Sequence, residues 1–224
     1  MAISYRAGLA LLVLAAAVLM ASAADPDPLA DFLLPGLTGA EVTGANFAFR
    51  RLDNVTVPPG QGSATKSANA ATFPAVTSQG VSYTFIDYAP CGQNPIHTHP
   101  RGTELLFVVV GQLYVGFVDT NNTLYATTLN AGDVFVFPRG LIHFQQNTSP
   151  RKPAKALAAF NSQNPGTQRI GSALFLPTGI PTSIEQVAFN AKASTIEAIK
   201  QNFPPSGNAV GTEKTGCGPS GFFP

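Results

Sequence analysis

Charge is scarce in this chain. Only 11% of the 224 residues are charged, and 13 basic residues nearly cancel 12 acidic ones, leaving a formal net charge of +1. A chain this neutral lacks the basic excess that a general nucleic-acid binder needs against phosphate, which excludes nucleic acid as an expected partner. There is no tryptophan, and with 2 cysteines the chain cannot be a small disulfide-built scaffold. Histidine numbers only 3, so any imidazole chemistry must use nearly all of them. Apolar residues, by contrast, make up 45%, too many for a disordered chain. The 21 glycines, 19 prolines and 16 phenylalanines point to a turn-rich β protein.

Residues 1–24 read as a secretory signal peptide. Arg6 supplies a positive start, Gly8 to Met20 a small-apolar run, and Ala21-Ser22-Ala23 a cleavage signal. The run is short for a ~20-residue membrane span, and Asp25-Pro26-Asp27-Pro28 follows at once. No later segment is apolar for long enough to cross a bilayer. The expectation is a secreted, soluble product with one domain over residues 25–224. Export favours paired cysteines. Cys91 and Cys217 can form one bridge, or remain a buried thiol and a loose tail thiol; their separation in sequence does not decide. Three glycosylation sequons occur, at Asn54, Asn121 and Asn147. Asn54 and Asn121 lie in polar, turn-like sequence and are the candidates for modification.

From Asp25 to about Gly80 the chain reads as loop, with short pieces such as Phe47–Phe49 as possible edge strands. Val81–Tyr88, Glu104–Val110, Leu113–Asp119, Leu124–Leu129, Val134–Pro138 and Ala156–Phe160 are short β-rich runs separated by turn residues. That pattern predicts an all-β antiparallel barrel or sandwich. Thr182-x-x-Glu185 and Ser194-x-x-Glu197 resemble capping boxes, each opening a short amphipathic helix. The tail after Pro204 is rich in Gly, Pro and Ser.

Two clusters carry the chemistry. In a strand, residues two apart face the same way, so His97 and His99 can present two imidazoles to one point. Glu104 opens the next strand and can add a carboxylate. In the second cluster a strand ends at Pro138, turns at Gly140 and re-enters with His143. Three imidazoles and a carboxylate form a mixed N/O set suited to Mn, Fe, Zn, Cu or Ni. No thiolate stands in either cluster, which argues against a closed structural zinc site. Four protein ligands on an octahedral ion leave room for water or substrate.

The clusters resemble the two cupin motifs. His97, His99, Glu104 and Gly111 match the first at the right spacings, with Cys91-Gly92 at its leading glycine. Gly132, Pro138, Gly140, His143 and Asn147 match the second. More narrowly, Asp25-Pro26-Asp27-Pro28-Leu29, the run from His97 to Glu104, Pro138-Arg139-Gly140-Leu141 and the run from Phe160 to Gly166 are similar to the germin-like proteins of plants. That resemblance implies a cupin β-barrel of jelly-roll type with short C-terminal helices, and manganese held by His97, His99, Glu104 and His143. It also implies a homo-hexamer built as a trimer of dimers, an extracellular cell-wall location and a role in plant defence. Asn147 occupies a motif position beside the metal strand, which argues against use of its sequon.

Two departures stand out. Leu33 occupies the place of the first cysteine of the usual germin disulfide, so a covalent staple here would have to join Cys91 to Cys217. In oxalate-oxidising germins two asparagines flank the metal. Asn94 matches one, as a substrate-positioning residue, but Thr84 stands at the other, and its hydroxyl offers fewer hydrogen bonds than an amide. Superoxide dismutation, an activity that the resemblance implies for some members of the family, is the leading expectation. Oxalate oxidation ranks below it, and a non-enzymatic, receptor-like binding protein is the third reading.

Overall fold

The fold follows from period-two burial. In the strand Glu104–Val110, the side chains of Glu104, Leu106 and Val108 are buried while those between them are exposed. Such alternation places one face of a strand on a core. The computed structural model describes residues 30–176, 179–202 and 217. The expected signal peptide and nearly all of the Gly/Pro/Ser-rich tail lie outside the described residues.

In chain order the strands are β1 (Ser63–Ala68), β2 (Ser82–Tyr88), β3 (Gln93–Thr98), β4 (Glu104–Val110), β5 (Gln112–Val118), β6 (Leu124–Asn130), β7 (Val134–Phe137), β8 (Ile142–Asn147), β9 (Ala154–Phe160) and β10 (Gln168–Arg169). They form two five-stranded sheets, β1-β2-β9-β4-β7 and β10-β3-β8-β5-β6. Every pairing is antiparallel. This is the all-β, jelly-roll architecture expected from the sequence.

The inner faces meet in one core. Ile86 and Tyr88 of β2, Leu106 and Val108 of β4 and Leu113 and Val115 of β5 pack with three small residues of β9, Ala154, Ala156 and Ala158. Small side chains on the central strand leave room for the larger ones facing them. The outer face of the first sheet is also apolar. Leu105 opposes Val136 and Phe107 opposes Val134, and all four are exposed by 41–52%.

The loop-rich N-terminal reading needs one correction. Phe47–Phe49 is not a strand: Gly44–Phe47 is a 3-10 turn, and Phe47 packs edge-on against Phe32 at 5.1 Å. The strand of this region is β1, whose residues are mostly small or polar. It is ordered by pairing with β2 along its whole length, from Ser63↔Tyr88 to Ala68↔Tyr83.

Three short helices follow the strands: α1 (Ile170–Phe175), α2 (Thr182–Ala188) and α3 (Ala193–Asn202). The last two were expected, but not their caps. Pro181 is the N-cap of α2, and Thr182 donates its hydroxyl hydrogen bond to Glu197 of α3 instead. Glu185 turns inward to pair with Lys200 at 2.7 Å. Ser194 falls inside α3 rather than before it. Thr182 and Glu185 thus bind one helix to the other.

Cys91 and Cys217 are joined in a disulfide with Cα atoms 4.8 Å apart. It sits beside the turn that leads into β3. Gly92 in that turn admits no side chain, because a Cβ there would lie 1.8 Å from the Gly62 carbonyl oxygen.

Candidate metal centre

β3, β4 and β8 bring the two sequence clusters together. On β8 the alternation buries His143, Gln145 and Asn147 in succession. On β4 the phase that buries Leu106 also buries Glu104. β3 solves a parity problem: Asn94 and His97 are an odd number of residues apart, yet both are buried. A register shift between them turns both inward. His99 lies just beyond β3, and His97 faces His143 directly across the sheet.

The ligand atoms of His97, His99, Glu104 and His143 lie within 4.8 Å of one another, and all four residues are buried. Backbone carbonyls orient each ring. The Nδ1 atoms of His97 and His143 donate to the oxygens of Pro95 (2.6 Å) and Leu141 (2.9 Å), and that of His99 to the oxygen of Gly166. A carbonyl can only accept, so the proton sits on Nδ1 and a neutral ring carries its lone pair on Nε2. Anchoring of this kind fixes both tautomer and direction in metal sites.

The Nε2 atoms of His99 and His143 stand 3.0 and 3.4 Å from Glu104 Oε2. Acceptor faces acceptor there, an arrangement that a cation between them stabilises. Buried Nε2 of His143 has no hydrogen-bond partner. Burial, then the neighbouring His143, hold the His97 pKa down to about 3, so its ring is neutral and ready to donate a lone pair. For Glu104, burial raises the pKa; protons on the Nε2 atoms of His143 and His99 would outweigh it and bring it to about 2, and a cation held in their place favours the ionised carboxylate in the same way. A carboxylate beside ring nitrogens whose Nδ1 sides are turned to backbone carbonyls fits a divalent metal ion.

A polar chain behind Glu104 escaped the sequence reading. Gln145 donates from Nε2 to Glu104 Oε1 at 2.9 Å. Its Oε1 accepts from the Tyr88 hydroxyl at 2.9 Å and from Asn94 Nδ2 at 2.8 Å. The carboxylate can only accept, so its charge fixes the direction of every bond in the chain. Burial and the charge of Glu104 raise the Tyr88 pKa well above its ordinary value, which keeps the hydroxyl a donor. The signal for Gln145 was present in the sequence: it lies two residues beyond His143 and shares its face.

The remaining candidates fall as follows. Asn94 and Thr84 both line the cavity over the histidines, and the Thr84 hydroxyl is 2.8 Å from that of Ser67. Asn54 and Asn121 are exposed. Asn147 is fully buried; its amide donates to the carbonyls of Ala89 and Lys152 and accepts from Ser149 N.

Comparison with known proteins agrees with this geometry. Residues 53–197 match the Cupin family. Germin-like protein 1-1 of Oryza sativa subsp. japonica is 45% identical over 210 residues, covering 84% of this chain and 95% of its own. Germin-like protein subfamily 2 member 4 of Arabidopsis thaliana is 43% identical over 195 residues, 81% of this chain and 89% of its own. A solved oxalate oxidase superposes with a TM-score of 0.75 at 35% identity, over 80% of this chain and 98% of that one. A recombinant oxalate oxidase in complex with glycolate gives 0.76 at 34%, over 82% and 100%. With this sequence similarity, fold and buried ligand set, the chain belongs to the germin-like proteins of the cupin family.

Proposed function

We propose that this germin-like protein is a secreted manganese enzyme that dismutates superoxide, with His97, His99, Glu104 and His143 as the metal ligands. The observation that carries the reading is the convergence of three lone-pair-bearing imidazoles and one ionised carboxylate in a buried cluster open to a cavity. Bound manganese supplies the one-electron couple by which two superoxide ions and two protons become oxygen and hydrogen peroxide. The protein's part is preorganisation. The carbonyls of Pro95, Leu141 and Gly166 aim the rings, Gln145 holds one oxygen of Glu104, and the carboxylate neutralises part of the ion's charge.

A second reading is oxalate oxidation, favoured by the likeness to solved oxalate oxidases. The pocket speaks against it. Only Asn94 offers an amide at the expected pair of positions, and one of its two N–H donors already goes to Gln145. Thr84 supplies a hydroxyl tied to Ser67. Asn94 keeps a positioning role for whatever binds at the metal.

Secretion is supported by the signal-like first 24 residues and by the disulfide; among the described residues no helix is long and apolar enough to cross a membrane. Assembly into a homo-hexamer is supported by the apolar outer face around Phe107 and by α2, where Ile184 and Val187 are exposed by 58% and 83%. Asn54 and Asn121 are the glycosylation sites of this reading, and extracellular cell-wall defence is its setting. The test is elemental analysis of the native protein with parallel superoxide and oxalate assays. Manganese with dismutation above that of free manganese supports the proposal; peroxide release on adding oxalate favours the second reading; metal-replete protein inactive in both assays refutes enzymatic function.

A further inference from the structure

Glu104 stands between two phenylalanines. In the first sheet it lies directly opposite Phe137 of β7 on one side and Phe160 of β9 on the other. Residues directly opposite across an antiparallel pair share a face, so the row Phe160–Glu104–Phe137 turns inward together. All three are buried: Glu104 and Phe137 are 1% exposed and Phe160 6%.

Each phenylalanine then reaches one histidine. The Phe137 ring stacks on that of His143, with centroids 4.5 Å apart and planes at 22°. The Phe160 ring meets that of His99 edge-on, at 4.7 Å and 70°. The Nδ1 bonds to Leu141 and Gly166 fix where each imidazole points, but a single hydrogen bond leaves the ring free to tilt about it. A packed aromatic neighbour removes that freedom, because aromatic pairs hold preferred geometries. The same two rings flank the carboxylate with hydrocarbon, which cannot solvate a charge. Compensation then falls to Gln145 and to a bound cation. An imidazole on a cation carries part of its charge, and the near-parallel Phe137 ring favours that state over the metal-free one.

We infer that Phe137 and Phe160 are positioning residues for the metal: they bracket Glu104, fix the planes of His143 and His99, and so tighten the hold on a divalent ion. The inference rests on the metal reading above. It deepens that reading by giving a role to two residues outside the ligand set.

Metal competition and electron paramagnetic resonance of manganese-loaded protein test it. Phe137→Leu and Phe160→Leu keep an apolar side chain but lose the ring. Each is expected to weaken manganese binding by about tenfold and to alter the manganese spectrum. Phe160→Tyr, which keeps a ring beside His99, should match wild type in both. Leu113→Ala controls for packing alone. Leu113 is fully buried in the same core but pairs with Leu129 and Asn147. Its truncation should lower the denaturation midpoint while affinity and spectrum stay as in wild type. Wild-type affinity and spectrum in either ring-deleted variant, or an equal loss in Leu113→Ala, overturns the inference. A measurement on the wild-type sequence decides even where a variant fails to fold. Protein made with ring-deuterated phenylalanine should show hyperfine coupling between bound manganese and phenyl deuterons, and absence of that coupling overturns the inference. These results, in wild-type protein that binds manganese, refute this inference alone. Wild-type protein that binds no manganese refutes the reading beneath it.

Discussion

Among the described residues two carboxylates are almost completely buried, and they are satisfied in opposite ways. Glu185, between α2 and α3, is 1% exposed and meets the Lys200 ammonium at 2.7 Å. Lys200 also donates to the Ile180 carbonyl and the Thr182 hydroxyl, so that end of the protein holds its own cation in place. Glu104, equally buried, faces Gln145 and two imidazoles whose protons are engaged elsewhere. Burying a charge is costly unless it is paired. One carboxylate is paired within the chain; the other is surrounded by lone pairs that draw a cation from outside. A structural site and a metal site therefore differ here by what stands opposite the carboxylate, not by burial.

The sharpest way to break this comparison is to remove ligands. His143→Ala or Glu104→Gln should lose the metal and with it the proposed dismutase activity, read by elemental analysis and a superoxide assay. Retention of both would remove the metal assignment. The matching change at the other carboxylate is Lys200→Ala. It leaves Glu185 buried without its partner and should lower stability by about 3 kcal/mol in denaturant titration while metal content stays constant. Lys200→Met with Glu185→Gln should restore most of that loss, because a neutral pair needs no counter-charge.

A finer cut goes behind Glu104. Gln145→Leu removes the hydrogen bond to Oε1 and strands the Tyr88 hydroxyl and the Asn94 amide. Loss of such an outer partner is expected to weaken metal affinity about 10- to 100-fold. The resonance spectrum of manganese-loaded protein should change with it, a signature that a purely structural role for Gln145 would not move.

How far this contrast could be read from the sequence depends on the range of the interaction. The ligands were legible because strand periodicity and turn spacing are local: Glu104 opens a strand in phase with Leu106, and His143 follows the turn at Gly140. Gln145 obeys the same periodicity, but nothing local says that its amide meets a carboxylate 41 residues away. β1 was missed because its polar sequence owes its order to a neighbour. Thr182 and Glu185 looked like a capping box, and only the packing of α3 against α2 reveals that both reach across to the next helix. The Cys91–Cys217 pairing likewise joins positions 126 apart, which spacing alone left open.

The smallest effect lies in the pH dependence of the metal-free protein. The His97 pKa is about 3 when folded, against an ordinary 6.5. The unfolded chain therefore takes up this proton first, and stability is fully present above pH 6.5 and falls as the pH drops toward 3. Each unit of that descent costs up to about 1.4 kcal/mol. Glu104, at about 2 when folded against 4.5, adds a loss of the same sign only below pH 4.5. Between pH 6.5 and 4.5 His97 contributes a slope that Glu104 does not, and His97→Gln should reduce it in denaturant titrations of metal-free protein. With metal bound the same acidification should cost more, because protons must then displace the ion as well. Equal slopes with and without metal would mean that the histidines are not its ligands, and Glu104 would then need another partner to match Lys200 at Glu185.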